Sequence, residues 1–335
     1  MNTVTSNIST VFSTSREKII QVRDLEVVFP TRDGKVKALE NISLDIYKGE
    51  TLGIVGESGC GKSTLGFSLL NAVPTPGTIT NGEILFHNEN IIKKPSREIR
   101  KLRGKSISMI FQDPMTSLNP LMRIDRHLIE TIKTHEKGIT KKEATRRAAS
   151  LLDKLGIIRE RLYDFPHQLS GGMRQRVMIG IGLSLNAEVL IADEPTTSLD
   201  VIVEAQFIDL LKQLKDEFSL TLILITHNMG IVAQISDRIA VMYGGHLMEV
   251  SNAEKLFKKP LHPYTEGLLH SIPNIKLEGD TLEAMSGFPP DLLNPPSGCR
   301  FSPRCKYAFK RCTREQVPLY EKDGRVVRCF LYAER

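Results

Sequence analysis

The sequence predicts an α/β fold with a largely parallel sheet and a phosphate-binding loop at one edge of that sheet. Three apolar strands support this prediction: one runs into glycines and a helix at 51–70, one ends in two acids at 187–195, and one ends in a histidine at 220–227. Strands that alternate with helices are typical of parallel sheets, whose ligands lie at the carboxyl ends of the strands. We therefore expect these three strand ends to form one site.

Further elements surround these three strands. Ile19–Val28 and the alternating stretch Ala38–Ile46 are predicted as strands, and so is the short run SISMIF that ends at Phe111. Residues 115–168 change to a helical, Lys/Arg-rich pattern, which predicts a helical subdomain inserted into the α/β body.

The two ends of the chain differ from this body. Residues 1–18 are rich in Ser, Thr and Asn without the apolar core of a secretion signal, so we expect a flexible tail, followed by an ATPase domain at 19–262. Residues 263–335 collect prolines and four cysteines and show no periodicity long enough to pack a core. We expect a small, irregular, Cys-rich domain there, which needs a cross-link in addition to its core for stability.

Composition limits the classes of function. The longest nearly apolar run, Val177–Leu185, is far shorter than the roughly 18 residues that a spanning helix needs, so a membrane role depends on partner chains. The net charge is only +6, Trp is absent and aromatic residues make up 6% of the chain. No basic block is interleaved with aromatics, which argues against a nucleic-acid partner.

Residues 56–64 read GESGCGKST and match the phosphate-loop pattern G-x-x-x-x-G-K-[ST]. Glycines let backbone N–H groups curl around an anion, and the next helix directs its positive end at that anion. We expect Lys62 to bind the β- and γ-phosphates of a nucleotide and the Ser63 hydroxyl to bind Mg²⁺. The candidate binding residues are Gly56, Glu57, Ser58, Gly59, Cys60, Gly61, Lys62, Ser63 and Thr64; the Cys60 thiol itself is expected to be buried and inert.

Polar side chains follow three other strands. Asp193 fits a Mg²⁺-side acid and Glu194 a residue that polarises the attacking water, although alone this pair also fits an ordinary strand-end turn. His227 can hydrogen-bond a γ-phosphate, and Gln112 can contact Mg²⁺ or water. Both are weak signals by themselves, and they gain weight beside a phosphate loop.

A second glycine turn, LSGGMRQR at 169–176, also precedes a helix. Ser170, Gly171 and Gly172 therefore form another anion-binding helix start. One ATP does not need two such loops from one subunit. The arrangement is explained if this loop covers ATP bound by a second subunit.

In this order the motifs resemble those of the ATP-binding-cassette (ABC) ATPases over about residues 22–250. GESGCGKST resembles their Walker A motif, LSGGMRQR their signature, LIADEP their Walker B motif, and Ser198–Asp200 their D-loop. Gln112 then corresponds to their Q-loop glutamine and His227 to their switch histidine. The resemblance implies a P-loop NTPase cassette with an antiparallel β subdomain, and a head-to-tail dimer that sandwiches two ATPs. It also implies roles for Asp200 at the nucleotide and for Phe29 in stacking on adenine, unless Phe29 belongs to the core.

Within the family, three segments resemble the D-type ATPase subunits of bacterial dipeptide and oligopeptide importers: ISMIFQDPMTSLNP at 107–120, HPYT at 262–265, and GCRFSPRC at 298–305. Nickel and glutathione importers share this pattern. The resemblance implies a peripheral protein at the cytoplasmic face of the membrane, a like or unlike second ATPase, two permease subunits and an extracytoplasmic binding protein. It leaves the transported solute undetermined.

Four cysteines near the end of the chain have the spacing C-x5-C-x6-C-x16-C: Cys299, Cys305, Cys312 and Cys329. The C-x2-C element of common zinc ribbons is missing, so the wide gaps favour a [4Fe–4S] cluster, and the resemblance supports it. Zinc and four unliganded thiols remain the alternatives. We expect the cluster to be structural.

Two other functions compete with the transport ATPase. A soluble cassette ATPase that acts on DNA or ribosomes typically carries coiled-coil insertions, tandem cassettes or zinc ribbons, and this sequence shows none of them. A non-catalytic regulatory cassette is disfavoured because Lys62, Glu194 and His227 are all present.

Overall fold

The structure is a computed structural model that describes residues 16–111, 117–197, 199–271 and 285–333. The chain divides into two compact units. The first unit contains residues 1–94 and 225–335, and the second contains residues 95–224. Gln112 and Ser198 lie outside the described residues.

Within the described residues the strands are β1 (Lys18–Thr31), β2 (Gly34–Tyr47), β3 (Thr51–Val55), β4 (Thr78–Phe86), β5 (Glu89–Asn90), β6 (Ile107–Ile110), β7 (Val189–Asp193), β8 (Thr221–Thr226), β9 (Arg238–Tyr243), β10 (His246–Asn252), β11 (Tyr320–Lys322) and β12 (Arg325–Val327). The α-helices there are α1 (Lys62–Leu69), α2 (Ser96–Leu102), α3 (Ile124–His135), α4 (Lys141–Lys154), α5 (Gly171–Leu183), α6 (Val201–Phe218), α7 (Met229–Ile235), α8 (Ala253–Lys258), α9 (Pro263–His270) and α10 (Lys310–Arg314). The strands predicted from the sequence are confirmed. No helix of the described part is both long and apolar enough to cross a bilayer.

An antiparallel sheet in the order β2-β1-β4-β5 forms one layer of the first unit. β1 and β2 pair as a hairpin whose last partners are Thr31 and Gly34, so both strands are longer than predicted. Lys18 was assigned to the flexible tail, and this is wrong. It is the first residue of β1, and its ammonium lies 3.0 Å from the buried Asp45 carboxylate.

The other sheet of the first unit contains β11-β12-β10-β9-β3 in this order. β3 runs parallel to β9, and all five of its residues are buried, as expected for a parallel strand covered on both faces. Gly53 in β3 lets α7 pack closely, because a Cβ at this position would lie 2.0 Å from Cγ1 of Val232.

The segment after residue 262 is more regular than we expected. It contributes α9, α10 and the hairpin β11–β12, which continues the main sheet of this unit through pairing of Val327 with Glu249. The hairpin turns at Asp323 and Gly324, both with positive φ (55° and 69°), the pattern of a type I′ turn. The expectation of an irregular segment was wrong because the Asp323-Gly324 pair is a strong hairpin signal that the composition of the segment does not reveal.

In the second unit, β6 is the neighbour of β7, and the two strands run parallel. Helices α3 and α4 lie in the region predicted to be helical and share a small core of Ile129, Ile132 and Ala144. α4 begins at a favourable cap, because the Thr140 hydroxyl accepts the backbone N–H of Glu143 over 3.2 Å. α5 and α6 belong to this unit as well.

Candidate nucleotide site and cysteine cluster

The predicted phosphate loop lies between β3, which ends at Val55, and α1, which begins at Lys62. Gly61 has a left-handed backbone (φ 100°), and a Cβ there would lie 2.5 Å from the carbonyl oxygen of Ala38. A side chain at this position would therefore be strained and would clash with backbone. The sequence requirement for glycine follows from this close approach.

The Lys62 side chain is buried and folds over its own loop. Its ammonium donates hydrogen bonds to the carbonyl oxygens of Gly56 (2.9 Å) and Glu57 (3.1 Å). A positive charge is thus fixed at the loop, beside the positive end of α1. This arrangement is suited to binding an anion such as a phosphate chain.

The C-terminal segment contacts the phosphate loop at Glu57, which the sequence did not predict. The backbone N–H of Glu57 donates to the Tyr264 hydroxyl over 2.9 Å. The Glu57 carboxylate accepts two hydrogen bonds from Arg304, over 2.8 Å and 3.0 Å. These bonds raise the pKa of the Arg304 guanidinium above its usual value, and burial raises the pKa of Tyr264. HPYT and GCRFSPRC contain these residues, but nothing in the sequence pairs them with Glu57.

The acidic pair lies in the second unit. Asp193 is the last residue of β7 and is buried. Glu194 follows with φ 47°, a left-handed conformation that costs energy in a non-glycine residue and that is typical of functional sites. The Thr197 hydroxyl donates to Glu194 Oε2 over 3.0 Å, which holds the carboxylate in one direction. Thr197 was not predicted as a site residue.

The second glycine turn begins α5 in the same unit. Ser170 is the N-cap, and its Oγ accepts the backbone N–H of Met173 over 3.3 Å. Gly171 has open space where a Cβ would lie, whereas Gly172 packs near Val203. The buried Gln175 donates from Nε2 to the carbonyl oxygen of Pro195 over 2.5 Å. This bond ties the helix of the glycine turn to the residue after Glu194, another connection that the sequence did not reveal.

The structure also describes three further predicted residues. The Asp200 carboxylate caps α6 by accepting the backbone N–H of Val203 over 2.9 Å. His227 is exposed and directly follows β8. The half-buried Phe29 packs its ring against Gly77, where a Cβ would lie 2.5 Å from the ring atom Cε1.

The four C-terminal cysteines converge on one small cavity in the first unit. The residues that line it include His262, Phe301, Phe330, Cys299, Cys305, Cys312 and Cys329. Burial raises the pKa of Cys299 to about 11 and that of Cys329 to about 12. Among the described residues, however, no group of three or more His, Cys, Asp or Glu side chains is arranged to hold a metal ion. The predicted [4Fe–4S] cluster, and zinc as its alternative, are therefore not confirmed.

Comparison with known families assigns both parts of the chain. Residues 39–197 match the ABC transporter family, and residues 248–312 match the C-terminal region of oligopeptide and dipeptide transporters.

Individual relatives agree with these matches. The chain is 44% identical over 323 residues to the dipeptide transport ATP-binding protein DppD of Bacillus subtilis, with 95% of this chain and 96% of DppD covered. It is 46% identical over 317 residues to the oligopeptide transport ATP-binding protein OppD of Escherichia coli, covering 94% and 93% of the two chains. Among solved structures, the dimeric ABC transporter cassette MJ0796 matches with a TM-score of 0.62 and 28% identity, over 70% of this chain and 98% of that cassette.

Proposed function

Because this chain belongs to the ABC transporter family, we propose that it is the ATP-hydrolysing subunit of a membrane importer of dipeptides or oligopeptides. The observation that carries the proposal is the combination, in one chain, of a complete set of nucleotide motifs with the matched C-terminal region at 248–312. The relatives named for dipeptide and for oligopeptide transport are about equally similar, so the proposal includes both peptide classes. Nickel or glutathione import is the alternative within the same branch.

The phosphate loop would hold the nucleotide through its phosphates. Lys62 neutralises the β- and γ-phosphates, and the N–H groups of the loop Gly56–Thr64 donate to the phosphate oxygens. The oxygen atoms of Ser63, Asp193 and Gln112 are the ligand type that Mg²⁺ prefers, and bound Mg²⁺ would offset the charge that develops on the phosphates.

Hydrolysis would depend on Glu194 as the general base. Its carboxylate is oriented by Thr197 and can accept the proton of the attacking water. His227 would hydrogen-bond the γ-phosphate and act as the switch, and Gln112 would report whether that phosphate is present. In this proposal, a carboxylate with a fixed direction needs no reorganisation when the water attacks the γ-phosphate.

The second glycine turn supports a dimer. Ser170–Gly172 and Asp200 would complete the nucleotide site of a second ATPase, identical or not, so that two ATPs lie between two head-to-tail cassettes. The dimeric form of the similar MJ0796 cassette supports this arrangement. The dimer would be a peripheral component at the cytoplasmic face of the membrane, where it would act with two permease subunits. It would act indirectly with an extracytoplasmic binding protein, and it would have no nucleic-acid partner. Residues 19–262 are the ATPase domain in this scheme, 115–168 the permease-facing helical subdomain, and 263–335 the C-terminal domain.

We also propose that Cys299, Cys305, Cys312 and Cys329 bind a structural [4Fe–4S] cluster. The convergence of all four thiols on one cavity supports this, and four thiolates are the usual ligand set of such clusters. When bound, the cluster would cross-link the residues after β12, α10 and the loop before α10. Anaerobic purification with iron and sulfide analysis and optical spectra tests this proposal. A colourless protein that retains one zinc ion per chain would exclude the cluster.

The catalytic part of the proposal is tested with Glu194→Gln in the transporter complex isolated from its native membrane. We expect this variant to retain MgATP binding but to lose nearly all turnover, since the amide cannot accept the proton. The matched control is Glu188→Gln, an exposed residue at the opposite end of β7, which should hydrolyse ATP at the wild-type rate. Wild-type turnover by Glu194→Gln would exclude Glu194 as the base.

A further inference from the structure

An arginine stands next to every cysteine of the C-terminal cavity. The pairs are Cys299-Arg300, Arg304-Cys305, Arg311-Cys312 and Arg328-Cys329. Residues 299–329, here called the cysteine segment, contain all four pairs. Arg300, Arg304 and Arg328 bond to residues outside this segment, in different places. Arg328 donates to the backbone oxygens of Leu247 and Asn41, whereas Arg304 reaches into the phosphate loop itself.

Arg304 is held firmly where it meets the loop. Its two terminal nitrogens bond to the two oxygens of the Glu57 carboxylate, and its Nε donates to the carbonyl oxygen of Ser286 over 3.0 Å. The Tyr243 hydroxyl lies 3.2 Å from Nη1. The Arg304 side chain is only 6% exposed, so water screens this ion pair weakly. A forked pair of this kind fixes both the position and the direction of the carboxylate.

Arg300 makes a second link between the same segment and the loop. Its guanidinium bonds to the carbonyl oxygen of Gly244 and to the Glu40 carboxylate. The N–H of the next residue, Gly245, donates to the carbonyl oxygen of Cys60 over 2.9 Å. The cysteine segment therefore contacts the loop directly at Glu57 and indirectly at Cys60.

The charge of Glu57 makes the direct link important. Glu57 is the second residue of a loop whose proposed ligand is a triphosphate, and a carboxylate there repels an anion. The fork with Arg304 cancels this charge and directs the carboxylate oxygens toward the C-terminal segment. Without Arg304 the carboxylate would lose this ion pair and its fixed direction.

We propose that Arg304 is a positioning residue of the nucleotide site, which neutralises and orients Glu57 so that the loop accepts a triphosphate. Through Arg304 the cysteine segment contributes to nucleotide affinity without touching the nucleotide. This inference rests on the proposed function, because it takes MgATP as the ligand of the loop.

Equilibrium binding of MgATP to full-length protein tests the inference, with Glu194→Gln as the parent to prevent hydrolysis. We expect Arg304→Gln to raise the Kd about tenfold, and less at high salt because the effect is electrostatic. Adding Glu57→Gln to Arg304→Gln should recover most of the affinity, since the uncompensated charge is removed. Arg311→Gln, which disrupts an exposed pair with Glu315 beside another cysteine, should bind like the parent.

Two results would overturn the inference. One is a Kd for Arg304→Gln equal to that of the parent. The other is a double variant that binds MgATP as weakly as Arg304→Gln, because this result would mean that Arg304 has only a structural role. Thermal unfolding checks that each variant is folded. If Arg304→Gln is not folded, Arg304→Lys replaces it, because lysine keeps the charge but cannot form the fork, and its Kd should lie between those of the parent and a variant without the charge. A parental Kd for Arg304→Lys would reject the orienting role of Arg304. If the parent itself does not bind MgATP, the proposed function has failed rather than this inference.

Discussion

The Thr197 hydroxyl donates a hydrogen bond to Glu194 Oε2 over 3.0 Å, and Glu194 itself holds a left-handed backbone with φ 47°. A strained backbone and a directed carboxylate occur together at the residue proposed as the general base. Because the surrounding structure must stabilise such a conformation, we interpret the arrangement as preorganisation of this carboxylate.

We predict that Thr197→Val lowers kcat about tenfold with little change in the Kd for MgATP. Valine has nearly the same shape but no donor, so the carboxylate loses its fixed direction while the phosphate contacts remain. Thr197→Ser keeps the hydroxyl and should recover most of the rate. Equal rates for the valine and serine variants would show that this hydrogen bond does not orient the base.

A second prediction concerns two glycines of the phosphate loop. Gly61→Ala should abolish ATP binding, because its Cβ would lie 2.5 Å from the carbonyl oxygen of Ala38 and its φ is 100°. Gly59 also has a positive φ (77°), but nothing lies within 4 Å of a Cβ built there. Gly59→Ala should therefore cost only about 1–2 kcal/mol of strain and retain binding. Binding titrations and urea unfolding of both variants test this, and equal losses would contradict the steric argument.

The sequence was sufficient to predict the strands that carry the site, because their patterns are local. A buried run of apolar residues ending in a glycine loop, an acidic pair or His227 indicates a parallel strand without tertiary information. The hairpin at Asp323-Gly324 was equally local, and we missed it only because we judged the proline- and cysteine-rich segment by its composition.

The contacts around the loop could not be predicted in this way. Glu57 and Arg304 are 247 residues apart, and no periodicity or spacing connects them. The same holds for Tyr264, whose hydroxyl accepts the Glu57 N–H across 207 residues. Such pairs depend on how the C-terminal segment folds back onto the sheet, which a single sequence does not encode as a local pattern.

Asp200 should serve both stability and turnover, and two substitutions separate these roles. Asp200→Ala removes the N-cap of α6 and should lower the free energy of unfolding by about 1 kcal/mol. Asp200→Asn keeps a capping oxygen, so its stability should stay within about 0.5 kcal/mol of wild type, since Asn and Asp cap equally well. Because the proposed site uses the Asp200 carboxylate, turnover should fall in both variants. Wild-type turnover in Asp200→Asn would limit Asp200 to capping.

The last prediction concerns pH and His246. This residue begins β10, is buried, and places Nε2 3.3 Å from the Glu40 carboxylate. Burial lowers the pKa of His246 to about 3, whereas a histidine in the unfolded chain titrates near 6.5. Between these two values the unfolded state binds the proton and the folded state does not, so stability falls as the pH decreases below about 6.5.

His246→Gln should remove this dependence, because the amide can donate to Glu40 and does not titrate. From pH 7 to pH 5 we expect wild type to lose about 2 kcal/mol more unfolding free energy than His246→Gln, as one histidine with this pKa difference implies. Urea unfolding at pH 7, 6 and 5 measures it, with His270→Gln, an exposed residue at the end of α9, as the control that should follow wild type. Parallel curves for wild type and His246→Gln would mean that the pKa of His246 is nearly the same in the folded and unfolded states, which would contradict this prediction.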